Sequence, residues 1–112
     1  FLRERRLQVV LPGVTNVGGL AALKRIAQIA ETQGAWCVPH AFSTGIVSAA
    51  SLHLLANSPR EHMIEWSMEG SPLNTNLTTP RLRMVDGYVA VPTSPGLGIS
   101  LNTGVVGRYR MR

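Results

Sequence analysis

Two side chains in this sequence are suited to moving protons, and a third position spaced with them carries no side chain at all. His40 follows Gly13 by 27 residues, and Glu65 follows His40 by 25. An imidazole changes charge near neutral pH and serves general acid–base chemistry. A carboxyl group is seldom left beside an apolar run without a partner or a task. Each position closes or directly follows such a run: Leu7-Gln8-Val9-Val10-Leu11 before Pro12-Gly13, Trp36-Cys37-Val38 before Pro39-His40, and Met63-Ile64 before Glu65. If these runs are parallel strands joined by helices, all three positions fall at one end of one sheet. In α/β barrels, that end is where chemistry happens.

Plainer readings stand beside this one. His40 could be a satisfied structural histidine, and Glu65 a capping or salt-bridged residue at a sheet end. His53, on the apolar stripe of a helix, and His62, at the start of a strand, read as structural. Cys37 is the single cysteine, so an intrachain disulfide is excluded. It sits inside an apolar run, where a buried, inert thiol is expected. No Cys/His spacing suggests zinc. Gly18-Gly19 opens a helix, as phosphate-binding glycines do. Asn16-Val17-Gly18-Gly19 matches no such pattern, however, and backbone geometry explains it better.

The elements that must position these residues alternate along the chain. Leu7–Leu11 reads as a strand buried on both faces, because its apolar run does not alternate. Leu20, Leu23, Ile26, Ala27 and Ala30 recur at helical spacing, and Gly34 ends that helix. Trp36–Pro39 is a second strand. Gly45–Ala56 is a second helix with a stripe of Ile46, Ala49, Ala50, His53 and Leu54, broken by Asn57-Ser58-Pro59. His62–Trp66 is a third strand. The order implies βαβ units and a parallel sheet. After Gly70 the texture changes. Residues 71–80 are polar and aperiodic. Asp86-Gly87, between Arg81–Val85 and Tyr88–Val91, predicts a hairpin. Pro95-Gly96-Leu97-Gly98 is a tight turn, and Val105–Tyr109 is a short helix or strand. The predicted division is therefore 1–70, a partial α/β unit, and 71–112, a tail in a different layer.

Composition narrows the function classes. The chain has 112 residues, the length of one small domain. It opens at Phe1 rather than Met, which suggests a piece of something longer. The net charge is +5, with basic residues gathered as Arg3, Arg5 and Arg6 and as Arg108, Arg110 and Arg112. Only Tyr109 interleaves with them, fewer aromatic residues than single-strand binding requires, so no nucleic-acid partner is expected. No apolar run is long enough to span a bilayer, so no membrane partner is expected either.

Taken together, Val9-Val10-Leu11-Pro12-Gly13-Val14-Thr15-Asn16-Val17-Gly18-Gly19-Leu20, Lys24–Gly34 and Val38-Pro39-His40-Ala41-Phe42-Ser43-Thr44-Gly45-Ile46 resemble the enolase superfamily. Ala49–Ala56, Ile64-Glu65, Asp86-Gly87 and Pro95-Gly96-Leu97-Gly98 extend the likeness to nearly the whole chain. The branch is that of mandelate racemase and muconate lactonizing enzyme. The resemblance implies an α/β fold: strands six to eight of a TIM-type (β/α) barrel, then a tail returning to the capping domain. It implies abstraction of the proton next to a carboxylate, with the enediolate stabilised on Mg²⁺. His40 would be the seventh-strand base, and Glu65 the eighth-strand group that hydrogen-bonds the substrate carboxylate. Thr44-Gly45-Ile46 looks more like the acid-sugar dehydratases than the racemase. For the whole protein the implied picture is a cytoplasmic homo-oligomer acting on a sugar acid.

Two departures bear on activity. Relatives with a His base carry an Asp where this chain has Gly13, and an orienting carboxylate fixes the tautomer of a catalytic His. Without it His40 is expected to lack a partner, and Gly13→Asp to restore one. The family's metal-binding carboxylates sit on earlier strands; before His40 this chain has only Glu4 and Glu31. The Mg²⁺ ligands are therefore expected to be absent from it. A non-catalytic relative that lost the Asp–His dyad is the competing reading, and a small basic nucleic-acid module a more distant one.

Overall fold

The computed structural model describes Glu4, residues 7–60 and residues 63–111. The expectation for His62, and the charges of Arg3, Arg5, Arg6 and Arg112, lie outside these.

The first half is built on parallel pairing. Strand β1 (Val9–Val10) pairs with β2 (Trp36–Cys37), Val9 opposite Trp36 and Val10 opposite Cys37. The Trp36 amide donates to the Gln8 carbonyl at 2.8 Å, and the Val38 amide to Val10 at 2.9 Å. These strands are shorter than the runs that predicted them. Pro12 and Pro39 have no N–H to give, so the ladder breaks and resumes as a single bridge between Gly13 and His40. The third run makes one bridge, His40 to Glu65, and no ladder. Among the described residues it has a neighbour on one side only.

Helix α1 (Leu20–Thr32) and helix α2 (Gly45–Ala56) connect these positions. Gly18 and Gly19 hold φ of 92° and 105°, a region only glycine enters without strain. Their role is to turn the chain into α1, as the backbone reading expected. At the far end of α1 the amides of Gly34 and Ala35 return to the carbonyls of Glu31 and Ala30, at 3.0 and 2.9 Å, a Schellman closure. Leu23 and Ala30 are the buried residues of α1.

α2 differs from its predicted stripe. Gly45 and the run Val47–Leu52 are buried, as is Leu54, while Ile46 and His53 are only half-buried. The helix carries no Asp, Glu, Lys or Arg, and a helix apolar all round buries itself on more than one side. One side meets α1. Another meets the tail, where α3 (Pro72–Thr75) and Thr78 close over Gly45. A Cβ at Gly45 would sit 2.7 Å from Thr78 Oγ1 and 3.0 Å from the Asn74 carbonyl, so this approach needs glycine.

The core is Val14, Leu23, Ala41, Val47, Ala50 and Leu54, with Ile64 and Leu97 packed against it. A smaller cluster of Ala30, Ala35 and Cys37 lies beneath α1 with Val10. The sheet is covered on one face only. Leu7, Val9, Leu11 and Trp36 are exposed, which corrects the expectation of burial on both faces. The radius of gyration, 14.8 Å, exceeds the roughly 13 Å of a compact domain this size.

The tail contains more regular structure than its composition suggested. β3 (Thr78–Thr79) pairs antiparallel with β6 (Ser100–Leu101). β4 (Met84–Val85) and β5 (Tyr88–Val89) form the predicted hairpin across Asp86-Gly87. α4 (Thr103–Tyr109) is helical and begins two residues before the predicted element. The Asn102 side chain caps it, accepting from the Gly104 and Val105 amides at 3.1 and 3.3 Å.

Candidate active site

Gly13, His40 and Glu65 lie side by side at the ends of three parallel runs, with His40 in the middle. The 27-residue step from Gly13 to His40 is the register itself, since Val9 to Trp36 and Val10 to Cys37 are the same step. The His40 amide donates to the Pro12 carbonyl at 3.2 Å. Side chains alternate along a strand, so Gly13 and His40 belong to the face of Val9 and Trp36, the uncovered one.

His40 Nδ1 is hydrogen-bonded to Glu65 Oε2. The structure thus gives His40 a carboxylate partner that the sequence did not assign to it. The reason lies in the row: of the two neighbours, Gly13 has no side chain to offer and Glu65 does. Both side chains remain accessible, at 48% and 29%. The His40 ring stacks on Phe42, centroids 5.2 Å apart and planes 26° from parallel.

The segment after His40 is braced at several points. Thr44 caps α2, its Oγ1 accepting from the Val47 amide at 3.3 Å. The Ser48 hydroxyl donates to the carbonyls of Ala41 and Thr44, both at 3.3 Å. Asn74 reaches across from the tail, its Nδ2 donating to the Phe42 carbonyl at 3.3 Å. Sequence reasoning missed Phe42 and Asn74. For Phe42 there was a signal, an aromatic two residues beyond the candidate His; for Asn74, in an aperiodic stretch, there was none.

The other candidates fall away from this cluster. Cys37 is buried, and that burial pushes its thiol pKa up, with the Glu31 charge adding to the effect, so it is a poor nucleophile. His53 Nε2 is buried without a hydrogen-bond partner among the described residues. A cavity of about 620 Å³ is lined by Leu52, Met63, Trp66, Met84 and Tyr88 among others; neither His40 nor Glu65 borders it. The candidate site is thus an open strand edge rather than an enclosed pocket.

The resemblance implies Mg²⁺, and the described residues do not fit it. Among the described residues no group of three His, Cys, Asp or Glu side chains could hold a metal ion. Among the same residues no helix is long and apolar enough to cross a membrane.

A model of the family described as enolase C-terminal domain-like matches residues 1–105. The chain belongs to that family. It is 29% identical over 113 residues to D-galactarolactone cycloisomerase of Agrobacterium fabrum, covering 94% of this chain and 30% of that protein. It is 28% identical over 114 residues to arabinonate dehydratase of Saccharolobus solfataricus, covering all of this chain and 30% of that one. Among solved structures, a mandelate racemase/muconate lactonizing enzyme from Jannaschia sp. CCS1 superposes with a TM-score of 0.82 at 33% identity, covering 94% of this chain and 27% of the other. The chain therefore spans about 30% of the length of the curated relatives it matches. The family shows the α/β class and the enolase-superfamily membership that the residues suggested.

Proposed function

We propose that this chain carries strands six to eight of the barrel of a sugar-acid dehydratase, with the tail returning to a capping domain. The observation that carries the reading is the in-register row of Gly13, His40 and Glu65 at one sheet end, on the uncovered face. Its support comes from relatives named for a sugar acid and a sugar lactone. In this reading a sugar acid approaches the uncovered face, and His40 takes the proton from the carbon next to its carboxylate. The C–H electron pair passes into an enediolate. The imidazolium of His40 returns that proton to the β-hydroxyl, which leaves as water, and the enol that remains becomes the keto acid. His40 and Glu65 are the residues this chain contributes. Mg²⁺ belongs to the reading only as an ion whose ligands stand elsewhere in the whole protein, and no step here is derived through it.

The test is proton exchange. The intact polypeptide, supplied with Mg²⁺ and a panel of aldonic acids in D₂O, should incorporate deuterium next to the carboxylate. His40→Asn should abolish this. A folded protein that exchanges nothing would leave the non-catalytic relative as the correct reading.

A further inference from the structure

We propose that Glu65 is the positioning carboxylate of His40, holding the ring in its Nδ1–H tautomer so that Nε2 is the atom presented to substrate. This rests on the sugar-acid reading above and changes the role that the resemblance assigns to Glu65, from gripping the substrate carboxylate to orienting the base.

The geometry carries it in three steps. First, a carboxylate only accepts hydrogen bonds, so the nitrogen facing it must bear the hydrogen. Glu65 Oε2 faces Nδ1. In a neutral ring Nε2 then keeps its lone pair. Second, among the described residues no other side chain is hydrogen-bonded to Nδ1. Gly13 has no side chain, and the nearest group to where its Cβ would stand is the Asn16 amide at 3.5 Å. The Oδ1 of that amide accepts from the Thr15 hydroxyl at 3.1 Å. Third, Glu65 restrains the ring at its edge while Phe42 restrains it at its face. Phe42 is itself anchored by Asn74 through its carbonyl. Edge and face restraints together fix both torsions of a histidine. The result is the arrangement of a base oriented by a carboxylate, with the carboxylate supplied by the strand on the opposite side of the histidine from Gly13.

The test reads the tautomer directly. Long-range proton–nitrogen correlation on the intact polypeptide labelled with ¹⁵N-histidine, at a pH where the rings are neutral, reports which nitrogen of His40 is protonated. His40→Asn assigns the signal among the three histidines. The wild type should show the Nδ1–H form. Glu65→Gln keeps the shape but can also donate, so it should shift the population several-fold toward Nε2–H, the form an unconstrained imidazole favours. Glu65→Ala should complete that shift; if it fails to fold, Glu65→Gln alone decides. A wild type in the Nε2–H form overturns the proposal, as does a tautomer unmoved by Glu65→Gln. Deuterium exchange supplies the second readout. Glu65→Gln should lower kcat for exchange about 10²-fold or more, with KM changed less than about threefold, because a mis-set tautomer disables the base rather than binding. A rise in KM with kcat preserved would instead restore Glu65 to substrate binding and overturn the proposal. Should the wild type show Nδ1–H but no exchange on any sugar acid, the pairing stands and the sugar-acid reading falls.

Discussion

Trp36 and Cys37 are adjacent in β2 and face opposite ways, one 41% exposed and the other 2%. Their partners in β1 repeat the difference: Val9 is exposed, whereas Val10 packs under α1. One face of this sheet has its core inside the chain, supplied by α1 and α2. The other face is as apolar, with Leu7, Val9, Leu11 and Trp36, and these side chains are exposed. His40 belongs to this second face. In an α/β barrel the inward face is filled by side chains from the other strands. The two faces therefore separate what this chain stabilises by itself from what it offers to something else, and the candidate site lies on the second.

The largest effect is expected in the covered core. Leu23 is fully buried there, between α1 and the α2 residues Val47, Ala50 and Leu54. Leu23→Ala should cost about 3 kcal/mol, read as a fall in the denaturant midpoint. A cost below about 1 kcal/mol would mean that the covered face is loosely packed, leaving little difference between the two faces. Thr44→Ala removes the cap of α2 and should cost about 1 kcal/mol. Because Thr44 ends the segment that begins at His40, the same variant should blur the His40 nitrogen signals as well.

The uncovered face should respond weakly. Val9→Thr and Leu11→Gln should each change stability by less than about 0.5 kcal/mol, since both side chains already meet water. They should also reduce self-association measured by analytical ultracentrifugation, because an exposed apolar sheet face invites it. A cost as large as that of Leu23→Ala would show the face to be covered in solution by another copy.

What the sequence made legible follows the same division. Gly13, His40 and Glu65 could be placed together because parallel register is a sequence offset, and each follows an apolar run. The hairpin was legible because Asp86-Gly87 is a local signal; those residues hold φ of 50° and 82°. The bare face was not legible. An unbroken apolar run reads the same whether its second face is covered by this chain or by something else. α3 and the β3–β6 pairing were missed because two-residue strands and a four-residue helix leave no periodicity to find. The Glu65 contact was missed because it depends on which way a ring turns, and spacing does not record that. It changes one expectation: with Glu65 already on Nδ1, Gly13→Asp adds a second carboxylate rather than the first.

The finest test uses Cys37, the covered neighbour of Trp36. Burial holds its thiol pKa above the ordinary value, and the negative charge of Glu31 adds to the effect. The sign follows from which form each state prefers. Below the unfolded thiol's value, about 8.5, both states are protonated and Cys37 contributes no pH dependence. Above it, the unfolded chain releases the proton while the folded chain retains it. Stability should therefore decline as pH rises from about 8 toward 10. Cys37→Ala should remove that part of the decline, leaving whatever the lysine and tyrosines contribute. Alkylation sharpens the point. At pH 8, iodoacetamide should modify Cys37 at least about 100-fold more slowly in the folded protein than in denaturant, because the covered face must open first. Over the same period acrylamide should quench Trp36 fluorescence freely, read in Trp66→Phe to isolate that signal. Slow alkylation beside ready quenching would confirm two unlike faces one residue apart. Rapid alkylation would mean that α1 lifts easily from the sheet, leaving neither face of β2 firmly covered in the isolated chain.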